Sequence, residues 1–127
     1  MTGSHLSTLA AALDEELPAA AALRHRLHAR PCLSGAEAPT RDLVLAALPG
    51  GSTTKVADTG AVVRIGGPGP AVAVRAELDA LAVQEKTGVP WTSEHPGLMH
   101  ACGHDVHLAA LTALARAIGR KGARPPC

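Results

Sequence analysis

Residues 99–107 read Met-His-Ala-Cys-Gly-His-Asp-Val-His and place one thiol, three imidazoles and one carboxylate in a single short stretch. The thiolate of Cys102 and the imidazole of His104 are ligand types that zinc prefers, and Gly103 between them lets the backbone bend. A catalytic zinc site needs about three protein ligands. The pair therefore predicts part of a metal site, although its spacing alone equally fits a buried cysteine beside hydrogen-bonding loop histidines.

The remaining ligands must come from other parts of the chain, and the candidates are His100, His107, Glu77 and Asp79. The two carboxylates follow an apolar segment at residues 71–74. Carboxylates beyond the carboxyl end of a buried strand lie where open α/β sheets bind ligands, and a spacing of two places both on one side. Asp79 is also suited to orienting a ligating imidazole. The alternative is that both are solvated loop charges, one of them paired with Arg75.

The beginning of the chain carries leucines at helical spacing, namely Leu6, Leu9, Leu13, Leu17, Leu23 and Leu27. This pattern predicts one kinked helix or two short ones, because Pro18 lies within it and Pro31 ends it. Ser34 followed by Glu37 resembles a capping box and predicts a second amphipathic helix. The Pro-Gly-Gly at residues 49–51 ends that helix.

β-branched residues separated by turns predict three strands, at residues 53–56, 61–65 and 71–75. The third shows no alternation of apolar and polar residues, which favours a strand covered on both faces. Residues 82–100 are interrupted by glycines and prolines, so we expect a loop. Asp105 is a candidate N-cap for a closing helix that Gly119 ends. This order of elements indicates an α/β fold.

Composition excludes several classes of protein. The 127 residues include no Phe or Tyr, which predicts a thin aliphatic core and removes base-stacking platforms. A formal net charge of +1 provides no basic field for nucleic acid or an anionic membrane. No uncharged apolar run reaches the ~18 residues of a membrane span, and three cysteines without regular spacing fit a reducing compartment. We therefore expect a cytoplasmic protein that binds neither nucleic acid nor membranes.

Several other residues have simpler interpretations. His25 and His28 lie three apart among arginines, and we expect a solvated basic face there rather than a metal site. Cys32 and Cys127 are expected to be free thiols. Trp91, in a loop with prolines, is expected to pack on the domain.

Four segments resemble a known family: Arg-His-Arg-Leu-His at 24–28, Pro-Cys-Leu-Ser at 31–34, Arg-Ala-Glu-Leu-Asp-Ala-Leu at 75–81, and Met-His-Ala-Cys-Gly-His-Asp at 99–105. They resemble metal-dependent amidohydrolases of the hippurate hydrolase, N-acyl-amino-acid hydrolase and indole-acetyl-amino-acid hydrolase type, within the aminoacylase-like metallopeptidases. The resemblance covers residues 23–118. It implies that a metal-activated water hydrolyses the amide bond of N-acyl amino acids. It also implies the zinc-exopeptidase-like α/β catalytic domain, with helices packed on a mixed sheet, two divalent cations and an inserted dimerisation domain.

Carried over position by position, the resemblance implies that Cys102 and His104 bind metal and that Asp79 supports the site. Asp105 and His107 belong to the same motif without a defined role. The softness of the ligands favours zinc, while manganese, cobalt and nickel remain open because imidazole and carboxylate ligands accept them.

The family's paired glutamates, one of which is the general base, and its remaining ligand histidines follow beyond the Cys-Gly-His motif and are not found in this sequence. We therefore expect residues 1–127 to form an incomplete catalytic domain without the dimerisation domain and C-terminal half, and to be inactive alone. Glu77 stands where the family often has Asp. Cys32 and Ala82 stand where it often has Glu and Pro.

Two further functions are open beside this one. The chain is alternatively a metal-binding or interaction module without turnover, which docks to a complementary protein. A thiol-based redox protein that uses Cys102 is the third hypothesis, although no partner cysteine is close in sequence. Because an unpaired sheet edge promotes association, self-association is expected as well.

Overall fold

Residues 3–120 fold into three helices and a two-stranded sheet. The computed structural model describes residues 3–120. The elements are α1 (Gly3–Ala29), α2 (Ala38–Ala47), β1 (Ser52–Val56), β2 (Gly60–Arg64) and α3 (His104–Gly119). This combination confirms the predicted α/β class. None of the helices in the described part of the chain has the length and apolar content that a membrane crossing requires.

Helix α1 is one continuous helix, although Pro18 lies inside it. Of the two alternatives that the sequence left open, one kinked helix or two short ones, the chain forms one helix. Its leucines do not share one environment, because Leu23 and Leu27 are buried while Leu6 and Leu17 are exposed. Only the second half of the helix contributes large side chains to the main core.

Helix α2 begins differently from the predicted capping box. Glu37 is itself the N-cap residue and its side chain makes no capping hydrogen bond. Instead, the Glu37 carboxylate accepts a hydrogen bond of 2.8 Å from the backbone N–H of Gly35. The predicted box was wrong because Glu37 lies one turn too early to be inside the helix. Pro39 lies in the first turn, where a missing N–H costs nothing.

Strands β1 and β2 form an antiparallel hairpin. The register pairs Ser52 with Arg64 at the open end and Val56 with Gly60 at the turn. Both predicted strands are confirmed, with every residue of β1 exposed. The hairpin therefore lies on the surface and contributes little to the core.

The predicted third strand is wrong. Residues 71–79 form no regular strand, and Val72 and Val74 are 87% and 57% exposed rather than covered on both faces. An apolar run of this kind is stabilised as a strand only by neighbours on its edges and faces, and the described residues supply none. Outside the β1–β2 hairpin, the described residues form two isolated β-bridges. One is parallel, between Leu33 and Ala80, and the other is antiparallel, between Leu81 and Met99.

Helix α3 packs along α1 and completes the core. Leu23, Leu27, Val44 and Leu108 form the main apolar cluster. A second, smaller cluster joins two alanines, Ala12 of α1 and Ala117 of α3. This is the thin aliphatic core that the composition predicts. Residues 82–100, which precede α3, contain no regular helix or strand, as expected.

Candidate metal centre

Three side chains converge at the beginning of α3. Donor atoms of Glu77, Asp79 and His104 all lie within 4.8 Å of one another. The Nε2 atom of His104 lies 2.9 Å from a carboxylate oxygen of Glu77, and its Nδ1 atom lies 3.0 Å from a carboxylate oxygen of Asp79. We call these three residues the cation cluster. Two carboxylates and one imidazole are ligands that zinc and manganese both accept.

The two isolated bridges hold this arrangement together. The backbone N–H of Ala80 donates to the carbonyl of Cys32 at 2.8 Å. Leu81 and Met99 exchange two backbone hydrogen bonds of 2.9 and 3.0 Å. These contacts fix the carboxylate-bearing segment beside the Met-His-Ala-Cys-Gly-His-Asp motif, although no sheet forms there.

Gly103 sets the direction of His104. Its φ of +84° lies in the left-handed region, which glycine adopts without strain, and it serves as the N-cap residue of α3. The helix therefore begins at His104. Asp105, predicted as the cap, lies inside the first turn instead, with its side chain fully buried. The cap prediction was wrong because the left-handed glycine starts the helix two residues earlier.

The backbone decides which nitrogen of His104 is available. Its Nδ1 atom lies 2.9 Å from the backbone carbonyl oxygen of Asp79, and a carbonyl only accepts hydrogen bonds. Nδ1 therefore carries the proton in the neutral ring, and Nε2 is the nitrogen left to bind a cation. Nε2 is also the atom that faces Glu77.

The other predicted donors are not members of the 4.8 Å cation cluster. Cys102 is exposed and is a free thiol. His107 is exposed, with its ring centre 6.2 Å from that of His104. His100 is buried, neither ring nitrogen has a hydrogen-bond partner among the described residues, and burial lowers the pKa of its imidazole.

Glu77 combines the two roles that the sequence left open. Its carboxylate pairs with Arg75 at 3.0 Å, as the solvated-charge interpretation predicts. Its other oxygen faces His104, as the metal-site interpretation predicts. The side chain is about half exposed, at 47%, so an ion can reach it from solvent.

The prediction of a solvated basic face for His28 was wrong. His28 is 3% exposed, its Nδ1 atom lies 2.8 Å from Asp105, and its Nε2 atom contacts Glu85. Arg24 also reaches Asp105, with 2.9 Å from Nε to the carboxylate. The arginines beside His28 suggested exposure, but the four-residue spacing of Arg24 and His28 places both on one helix face.

Glu85 is a buried residue that no sequence motif singled out. Burial alone raises the pKa of its carboxyl group, but hydrogen bonds from Thr92, His28 and the backbone of Ser93 outweigh burial and lower that pKa to about 2. The group is therefore a buried carboxylate anion with its oxygens fully used. Its partners lie far away in sequence or in an irregular loop, so no local sequence pattern predicts that Glu85 is buried.

His25 and Trp91 form a contact of their own beside this region. Their rings stack with centroids 3.7 Å apart and an interplanar angle of 11°. The expectation that Trp91 packs on the domain is thus confirmed. Cys32 is a free thiol as predicted, whereas Cys127 lies outside the described residues.

Residues 73–126, which include the whole cation cluster, match the profile of peptidase family M20/M25/M40. The chain is also 34% identical to a solved Bacillus subtilis structure described as a dinuclear metal-binding peptidase of the M20 family. That match has a TM-score of 0.70 and covers 82% of this chain and 32% of the solved one. Over these residues the chain is similar to this family.

The chain is also similar to two curated relatives whose names state an activity. The chain is 38% identical over 109 residues to the N-acyl-L-amino acid amidohydrolase of Geobacillus stearothermophilus, covering 82% of this chain and 30% of the relative. It is 65% identical over 43 residues to the N-acetyl-L-cysteine deacetylase of Bacillus subtilis strain 168, covering 34% of this chain and 10% of the relative. The chain thus spans about a third or less of the length of these relatives.

Proposed function

We propose that this chain holds a divalent cation in an amidohydrolase site for N-acyl amino acids. The observation that carries the proposal is the convergence of Glu77, Asp79 and His104 within 4.8 Å at the family motif. The relatives named for N-acyl and N-acetyl amino acids support the substrate class.

The donor set fits the cation that the family implies. Glu77 and Asp79 offer carboxylate oxygens, and His104 offers Nε2 because its other nitrogen faces a carbonyl. We propose zinc or manganese as the metal, since both accept this mixture of ligands. We propose Cys102 as a further ligand, because it is an exposed free thiol two residues before His104 in the same motif.

A cation bound in such a site polarises the amide carbonyl and lowers the pKa of a water molecule. The residues of this chain supply orientation. The backbone carbonyl and carboxylate of Asp79 fix the tautomer and ring direction of His104. The carboxylate of Glu77 adds negative charge on the open side of the cluster.

We further propose that the chain alone binds metal without hydrolysing substrate at a detectable rate. A general base must reach the attacking water, and both carboxylates of the cation cluster are instead held against His104. The free thiols Cys32 and Cys102 fit a reducing compartment, and we propose the cytoplasm.

The test is a cobalt titration of purified, chelator-washed protein, followed by visible absorption, together with a hydrolysis assay on hippurate and N-acetyl amino acids. Wild type is expected to bind one or two cobalt ions per chain, and His104→Ala to lose at least ~10-fold in affinity. Cys102→Ser is expected to remove the thiolate-to-cobalt charge-transfer band. His95→Ala is the control, because His95 hydrogen-bonds Pro31 and not the cation cluster.

The outcomes distinguish a metal-binding module without turnover from an active amidohydrolase. Stoichiometric cobalt without turnover supports a metal-binding module within the amidohydrolase family. Turnover that His104→Ala abolishes shows a complete active site and overturns the proposed inactivity. Absence of cobalt binding by the wild type overturns the metal site itself.

A further inference from the structure

A chain of polar and charged side chains, buried except for the partly exposed Arg24, links α1 and the loop at residues 82–100 to the first turn of α3. Its members are Glu85, His28, Asp105 and Arg24. We call this group the buried relay. Glu85, His28 and Asp105 are 8%, 3% and 0% exposed, so water screens none of these contacts effectively.

The contacts form a linear series from Glu85 through His28 to Asp105. Glu85 contacts Nε2 of His28, and Nδ1 of the same ring lies 2.8 Å from Asp105. Both carboxylates only accept hydrogen bonds, and each ring nitrogen of His28 faces one of them. Arg24 contacts the same oxygen of Asp105 at 2.9 Å. Loss of one member leaves a buried polar group of its neighbour without a partner.

The far end of the relay is anchored in the loop. The second oxygen of Glu85 accepts hydrogen bonds from the hydroxyl group of Thr92 and, at 2.6 Å, from the backbone N–H of Ser93. Glu85 therefore has a fixed position that does not depend on α3.

The near end of the relay adjoins the cation cluster. Asp105 directly follows His104 in the first turn of α3 and binds two side chains of α1 through one oxygen. His104 and Asp105 are the first two residues of α3. Because they are adjacent in the backbone, the contacts that hold the Asp105 side chain also restrict the backbone that carries the His104 ring. A shift of Asp105 would move His104 away from the carbonyl of Asp79.

We propose that Glu85 is a positioning residue which, through His28 and Asp105, holds the His104 imidazole in its cation-binding orientation. This inference rests on the proposed metal site. Groups that orient a ligand are worth 10–100-fold in metal affinity, so the relay predicts an effect of that size from a residue that contacts no ligand.

The experiment compares Glu85→Gln with Glu16→Gln in cobalt affinity and in thermal unfolding. Glu16 is the matched control because it is 4% exposed, and it also ties α1 to α3 by hydrogen bonds to Arg116 and Arg120. These bonds lie at the opposite end of α3. Both variants are expected to lower the unfolding temperature, and only Glu85→Gln is expected to weaken cobalt binding, by about 10-fold. Its cobalt absorption spectrum should also change.

Thr92→Val is a milder second variant that removes one hydrogen bond to Glu85 and serves if Glu85→Gln does not fold. It is expected to weaken cobalt binding by a smaller but measurable factor. Wild-type affinity and spectrum in the folded relay variant would overturn the proposal, as would equal weakening in Glu16→Gln. If wild type itself binds no cobalt, the proposed metal site has failed. If wild type binds and the relay variant is unchanged, only the relay has failed.

Discussion

His104 is oriented by three features. Gly103 begins the helix directly before it, and Asp79, 25 residues away in sequence, holds its Nδ1 atom at 2.9 Å through a carbonyl oxygen. The third feature is the salt-bridged Asp105 that follows it. Each removes freedom that the ring would otherwise lose on binding a cation, so we infer that the site is largely formed before the metal arrives.

Acid sensitivity is the clearest expectation at Glu85. Its pKa falls from 4.5 to about 2 on folding, a shift worth on the order of 3 kcal/mol. Because the folded-state pKa is the lower one, this stabilisation is complete above pH ~4.5 and is lost as the pH falls toward 2. Urea unfolding at pH 7, 5 and 3 should therefore show a steep loss of stability between pH 5 and 3.

In the same urea unfolding series, the Glu85→Gln variant should have a lower free energy of unfolding than wild type at pH 7. Its free energy of unfolding should also fall by less between pH 5 and pH 3. Glu94→Gln is the control, since that side chain is 63% exposed and its pair with Arg30 is screened by solvent. An unchanged pH slope in Glu85→Gln would contradict the assignment of acid sensitivity to this carboxylate.

Among single residues, the site residues that could be predicted were those that lie in a short sequence motif. His104 and Asp79 were predicted from a motif and from the resemblance, and the structure brings them together with Glu77. Cys102 as a ligand remains a prediction. Glu85 and His28 could not be paired, because they are 57 residues apart and neither stands in a pattern typical of buried charge.

Helices were predictable because apolar periodicity is a property of the helix itself, and both the long first helix and the closing helix follow it. A strand depends on its neighbours. Residues 71–75 have strand-like composition, yet no partner strand among the described residues pairs with them. Composition alone could not supply that information.

The core at the helix contacts predicts a strong effect of one truncation. Leu27 is 1% exposed in the main cluster, and Leu27→Ala is expected to cost about 2–5 kcal/mol because it leaves a cavity. A small domain has only about 5–15 kcal/mol in total, so this variant should be close to unfolding at 37 °C. Chemical denaturation followed by circular dichroism measures the loss.

Leu17→Ala in the same helix is the matched control for this truncation. Leu17 is 58% exposed, so its removal should change the free energy of unfolding by less than about 0.5 kcal/mol. Equal losses in the two variants would contradict the description of α1 as buried mainly in its second half.

For the molecule as a whole, the exposed apolar segment predicts association. Val72 and Val74 lie largely in solvent in a segment whose backbone forms no sheet, and unpaired extended backbone with apolar side chains is a template for pairing. Sedimentation velocity should show reversible association that increases with protein concentration. The double variant Val72→Lys and Val74→Lys should be monomeric, because like charges repel across such a contact.

The control for that series is Val62→Lys, an equally exposed valine in the paired hairpin, at 57%. It should associate as wild type does. Association that persists in the double variant would show that another surface is responsible.

The central claim is that His104 binds a divalent cation through Nε2 within the cation cluster. The most direct measurement is a zinc titration of ¹⁵N-labelled protein, followed through the histidine ring nitrogens, with His104→Gln for assignment. Stoichiometric zinc is expected to shift Nε2 of His104, while Nδ1 keeps its proton and donates it in a hydrogen bond to the carbonyl oxygen of Asp79. Shifts confined to other histidines, or no shift at stoichiometric zinc, would contradict this claim.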